Sequence, residues 1–136
     1  MSEGSERLEQ SVSINPDEVL LAVATKGDGA ISQHFGHADA FSVYAAGPGG
    51  VRLVGIRTVE HYCQGGSGDE DKRDVILRAL ADCAALFVAR VGDGPRAKLE
   101  AAGIEPVDNY PFEAIEPTLG EWFVTNRHRL SSRLRA

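Results

Sequence analysis

With 136 residues, 43% of them hydrophobic, the chain can bury one real core and is too short for two, so one compact domain is expected. Its formal net charge of −6 argues against the broad basic face that nucleic-acid binding requires. Residues 1–17 are polar, with no basic n-region or apolar h-region, and no later run approaches the roughly 20 apolar residues of a membrane span, so a soluble cytoplasmic protein with free thiols at Cys63 and Cys83 is expected.

In chain order, residues 19–25 form a continuous apolar run that stops at Lys26-Gly27-Asp28-Gly29, as a buried strand ending in a loop does. Residues 41–45 and 51–59 flank Gly47-Pro48-Gly49-Gly50 and read as a β-hairpin. A glycine-rich loop, Tyr62-Cys63-Gln64-Gly65-Gly66-Ser67-Gly68, leads to Asp69-Glu70-Asp71, whose charges suit the positive end of a helix. That helix carries Val75, Ile76, Ala79, Leu80 and Cys83 on one apolar stripe. Residues 84–91 read as a strand, 95–102 as a short helix that Gly103 stops, and 104–107 as the last strand. Residues 111–123 offer Ile115, Leu119, Trp122 and Phe123 as the inner face of a closing helix, interrupted by Pro117 and Gly120. Beyond them, Arg127, Arg129, Arg133 and Arg135 crowd the last ten residues and read as a solvated basic tail over 126–136. The order β-β-β-α-β-α-β-α predicts an α/β sandwich over residues 18–125 around a mixed sheet.

The densest chemical signal is Gln33-His34-Phe35-Gly36-His37, just beyond the loop that leaves the first strand. A second cluster, Glu60-His61-Tyr62-Cys63-Gln64-Gly65-Gly66, leaves the third strand, so both loops return to the same small sheet and can face one pocket. Imidazole nitrogen and thiolate sulfur ligate iron, and a glycine loop lets backbone N–H groups approach an anion. His34, His37 and Cys63 are therefore candidate ligands, with Gly65 and Gly66 beside them. The ordinary alternative for a loop histidine is a surface hydrogen-bonding role, and for Cys83, on a helix stripe, a small buried apolar one. Two cysteines and no Cys-x-x-Cys exclude a cluster held by four cysteines, so any cluster held here arrives already assembled. Lys26-Gly27-Asp28-Gly29 lacks the pattern of a phosphate loop.

Val23-Ala24-Thr25-Lys26, Gln33-His34-Phe35-Gly36-His37-Ala38, the Tyr62 to Asp71 segment and Leu99-Glu100-Ala101-Ala102-Gly103-Ile104-Glu105-Pro106-Val107 together resemble the dinitrogenase iron-molybdenum cofactor biosynthesis family. That family includes NifX, NafY and the C-terminal domain of NifB, and the likeness, nearest to NifX and the NifB C-terminal branch, runs from about residue 19 to 123. The resemblance implies a ribonuclease H-like three-layer α/β sandwich with a mixed five-stranded sheet. It further implies a non-enzymatic carrier that transiently binds a preassembled iron-sulfur cluster, either the NifB product or the iron-molybdenum cofactor. NifB, a NifEN-type scaffold and apo-dinitrogenase are the implied partners, with no nucleic acid and no membrane. The histidine of the family's His-Phe-Gly motif corresponds to His34, which with Cys63 becomes the expected metal-binding pair. In the loop after the fourth strand, where family members often have a cysteine, this chain has Gly92-Asp93-Gly94-Pro95.

Nitrogenase-type clusters are anionic, so an acidic carrier needs a local positive or N–H-rich site. Lys26, before the His34 loop, Arg57, ending the third strand, and the amides of residues 65–68 are the candidates; the two basic side chains could equally solvate the strand ends. Two readings from other classes stand beside the carrier: a regulatory or interaction module of the same fold without cluster, and a metal-dependent nuclease. Two-metal cleavage needs carboxylates converging on the sheet, and residues 19–25 contain none.

Overall fold

A computed structural model describes residues 15–59 and 72–135. The five strands are β1 (Val19–Ala24), β2 (Ala40–Gly47), β3 (Gly50–Thr58), β4 (Ala85–Phe87) and β5 (Glu105–Val107), and the helices are α1 (Lys72–Ala79), α2 (Asp93–Ala101) and α3 (Ile115–Arg135). They form one mixed sheet in the order β3-β2-β1-β4-β5. The neighbours β1 and β2, and β2 and β3, run antiparallel, while β1, β4 and β5 run parallel. Among the described residues, the element order and the mixed five-stranded sheet are those expected from the sequence.

Strand β1 is central and covered on both faces, which is why all six of its residues are apolar and buried instead of alternating. One face packs Leu20, Ala22, Phe41 and Val43 against Ile76 and Ala79 of α1 and Leu99 of α2. The other packs Val19, Leu21, Val23 and Phe87 against Ile115, Leu119, Trp122 and Phe123 of α3. This is the three-layer arrangement, with a separate core on each side of the sheet. The hairpin between β2 and β3 needs its glycines: a Cβ on Gly47 would stand 2.8 Å from Glu18 Cγ and 3.1 Å from Asp17 O, and Gly50 has φ +124°.

Three elements differ from their sequence pattern. Helix α1 ends at Ala79, and Leu80 and Cys83, still buried, continue the stripe through a turn in which the Cys83 N–H donates to Leu80 O. Strand β4 is three residues long, not eight: Val88 N–H still donates to Val107 O of β5, but on the other side the chain passes from β1 to the segment beyond it, where Ala89 N–H donates to Gln33 O. Helix α3 does not stop at Phe123 but runs through the arginine-rich segment to Arg135. Pro117 is harmless in its first turn, where the missing N–H would have no helical acceptor, and Gly120 lies against Val51. The extension is tied down by Leu130, which is buried, and by Arg129, which donates to Glu105 Oε1 at 2.6 Å and stands 5.8 Å from the Trp122 ring.

Candidate functional site

The parallel strands β1 and β4 point their carboxyl ends the same way, and the segments leaving them are zipped together. Gln33 N–H donates to Ala24 O, Ala89 N–H to Gln33 O, and Phe35 N–H to Arg90 O, all between 2.9 and 3.1 Å. The loop before them is held separately. Asp28 Oδ1 accepts from the Ser32 hydroxyl at 2.8 Å and from the Thr25 hydroxyl and Ala30 N–H, while Ile31 N–H donates to Glu113 O. The Ser32 hydrogen bond leads the causes that hold the Asp28 carboxyl below its ordinary range. His34 thus projects from backbone fixed on both sides.

A single 3-10 turn, Phe35–His37, follows. Its buried members are Phe35 and, next to it, Ala38, which anchor the turn in the core beside α1 and α2. In such a turn residues three apart eclipse one another. His34 and His37 obey this: both are exposed, with ring centroids 5.4 Å apart and planes 15° from parallel. The inner face of the turn is packing and the outer face is a pair of stacked imidazoles.

These rings open onto a cavity of about 290 Å³, at the small end of the roughly 300–1,000 Å³ range of ligand sites. His34 to His37 form one wall, Arg90 to Gly92 another, and Arg73 of α1 and Pro95 of α2 complete it. Among the described residues, none that lines it is acidic. Gly92 caps α2 without a side-chain hydrogen bond, and Asp93 stands in the first turn of that helix, where its charge meets the positive helix end. The cavity offers ring nitrogens able to ligate a metal and, at Arg90, a guanidinium able to receive an anion.

The sequence candidates divide accordingly. His34 and His37 come together on the cavity. Lys26 is exposed in the loop after β1, its N–H bonded to Ser32 Oγ, and does not line it. Arg57 is also elsewhere: its Nη1 donates to Ala79 O at 2.8 Å and to Asp82 Oδ1 at 2.6 Å, its Nη2 donates to Asp82 Oδ2, and its side chain is 13% exposed. Burial works against the Asp82 charge, but the Arg57 bonds and charge prevail and keep that carboxyl below its usual range. Cys83 is a fully buried free thiol. His61, Cys63, Gly65 and Gly66 lie outside the described residues. Among the described residues no group of three or more His, Cys, Asp and Glu could hold a metal ion, and no helix is long and apolar enough to cross a membrane.

Arg73 and Arg90 are absent from the sequence candidates. The signal for Arg90 was its place just past an apolar run, since parallel neighbouring strands bring their exits together at the carboxyl edge of a sheet, where ligands bind in open α/β folds. Nothing comparable marked Arg73, which reaches the cavity through the packing of α1.

The family model described as dinitrogenase iron-molybdenum cofactor matches residues 17–124. The FeMo cofactor biosynthesis protein NifB of Bradyrhizobium diazoefficiens is 51% identical over 105 residues, 77% of this chain and 21% of that protein. The NifB proteins of Frankia alni and Azotobacter vinelandii are 50% identical over 119 residues and 46% over 101, covering 84% and 72% of this chain and 23% and 20% of theirs. The chain thus spans about a fifth of the length of these relatives. In structure it is similar to the crystal structure of PH0822, with TM-score 0.55 and 15% identity over 79% of this chain and 91% of that one. That likeness concerns the fold.

Proposed function

The chain belongs to the dinitrogenase iron-molybdenum cofactor family, and on that premise we propose that it is a carrier: it binds a preassembled iron-sulfur precursor of the nitrogenase cofactor, or the cofactor itself, and releases it unchanged. Family membership supports a role in nitrogenase cofactor biosynthesis. The observation that carries the finer reading is the stacked His34–His37 pair on an open cavity. His34 ligates an iron of the cargo through a ring nitrogen, His37 hydrogen-bonds the cluster, and the Cys63 thiolate is the second metal ligand. The amides of Gly65 and Gly66 donate to cluster sulfides.

A carrier needs reversible affinity, and a site with few protein ligands, completed by hydrogen bonds, supplies it better than a closed cage. The cargo comes from a NifB-type enzyme and passes to a NifEN-type scaffold or apo-dinitrogenase. Catalysis is no part of this reading, and the lack of a carboxylate on β1 supports leaving it out.

The test is anaerobic incubation of the full chain with purified NifB product, followed by gel filtration and iron quantification. Wild type elutes with iron; His34→Ala loses affinity by on the order of tenfold or more while its circular dichroism is unchanged. Wild-type protein that elutes without iron overturns the carrier reading, and an iron-replete His34→Ala variant overturns the role of that residue.

A further inference from the structure

We infer that His34 and His37 do not share one metal atom: each ring meets a different atom of a polynuclear metal–sulfur cargo, and the pair thereby tells a cluster from a single metal ion. The inference rests on the carrier reading and adds to it the feature of the cargo that this pair recognises. It comes from the geometry of the rings, which are stacked with centroids 5.4 Å apart and planes 15° from parallel.

An imidazole binds a metal through a nitrogen lone pair that lies in the ring plane. Stacked rings keep their planes about 3.5 Å or more apart, the contact distance of their carbon atoms. Over a metal–nitrogen bond of about 2.1 Å, a tilt of 15° closes that gap by only about 0.5 Å. The two lone pairs therefore end at points roughly 3 Å apart, too far for one ion to satisfy both. A chelating pair is built differently, with rings that converge on a common point.

The fold holds the stack in place. His34 bridges to Arg90, and its neighbours are pinned on either side, Gln33 N–H to Ala24 O and Phe35 N–H to Arg90 O. His37 N–H donates to His34 O at 3.1 Å and closes the 3-10 turn that sets one imidazole over the other. Phe35 and Ala38, both buried, anchor that turn in the core. A metal–sulfur cluster, with bonds of about 2.3 Å, carries metal and sulfide atoms a few ångströms apart on one face. One ring can then ligate a metal while the other donates a hydrogen bond to a neighbouring sulfide. A lone ion offers only the first of these contacts.

Both histidines are exposed, so His34→Ala and His37→Ala should each fold normally, which circular dichroism checks. In anaerobic gel filtration with NifB product, His37→Ala should retain cluster about tenfold more weakly than wild type, the scale of losing a contact that supports a metal ligand. If it retains as much iron as wild type while His34→Ala does not, the inference fails and the carrier reading stands.

A second arm uses zinc ion alone, titrated into the apo-protein by calorimetry. The zinc affinity of His37→Ala should equal that of wild type, or neither protein should bind the ion saturably. Zinc binding that weakens about fivefold or more in His37→Ala shows the two rings sharing one ion and overturns the inference, whatever the cluster arm gives. Wild type that elutes without iron overturns the carrier reading, and the zinc arm then still decides whether the rings share an atom.

Discussion

Arg57, near the end of β3, and Arg90, just past the end of β4, are the same side chain in opposite circumstances. Arg57 is nearly covered and tied to Asp82 and to the Ala79 carbonyl at the end of α1. Arg90 is held through its backbone carbonyl, which accepts from Phe35 N–H, and lines the cavity with its side chain exposed. In sequence both are lone basic residues at strand ends. What separates them is whether the fold brings an acid across: Asp82 lies 25 residues from Arg57 and meets it, and no carboxylate among the described residues reaches Arg90. A cation committed to a fold contact stabilises; one left without an acid is available for a ligand.

The most severe way to disturb this contrast is to remove the anchor of the open side. Phe35 is 2% exposed, and its N–H donates to Arg90 O. Phe35→Ala should cost about 3–5 kcal/mol in urea unfolding and unhinge the His34 wall. If stability falls by less than about 1 kcal/mol, the turn is not held by its inner face.

Arg57→Ala should cost about 1–2 kcal/mol, because it leaves the Ala79 carbonyl and the half-buried Asp82 without their donor. Arg90→Ala should stay within about 0.5 kcal/mol of wild type, as exposed residues outside such networks do. Cluster retention should show the reverse order, with Arg90→Ala the weaker binder. Equal stability losses would dissolve the distinction between the two arginines.

Acid offers a finer probe of the committed side. The folded pKa of Asp82 lies below its ordinary value of 3.8, so the native state favours the ionised form. The pair's contribution is complete above about pH 4 and is lost as the pH falls through the lower folded value. With Asp82 half exposed the effect should be under about 1 kcal/mol, seen as a steeper drop in melting temperature below pH 4 for wild type than for Asp82→Asn. Parallel pH profiles for the two proteins would show that the pair adds no stability.

The smallest structural effect concerns the thiols. Cys83 is fully buried and should react with a thiol reagent only as fast as the protein opens, whereas Cys63 should react first in the apo-protein and more slowly once cluster is bound. Equal labelling of both in the native protein would remove the basis for treating Cys63 as the ligand and Cys83 as core.

What was legible in the sequence is what depends on local pattern. The continuous apolar run of β1 announced a buried strand, the glycines at 47–50 announced the hairpin, and Gln33-His34-Phe35-Gly36-His37 announced a cluster of two imidazoles at a strand exit. The family resemblance rested on such runs too. The length of α3 was not legible, because its arginines look like a solvated tail until Trp122 and Glu105 are placed beside Arg129. Nor was the extent of β4, since the apolar run of residues 84–91 does not record a change of partner from β1 to the His34 loop. The charge of the site belonged wholly to tertiary structure. Whether an arginine is a strut or a receptor depends on the acids that fold up around it, and Coulomb attraction at a few ångströms is insensitive to how far apart two residues stand along the chain.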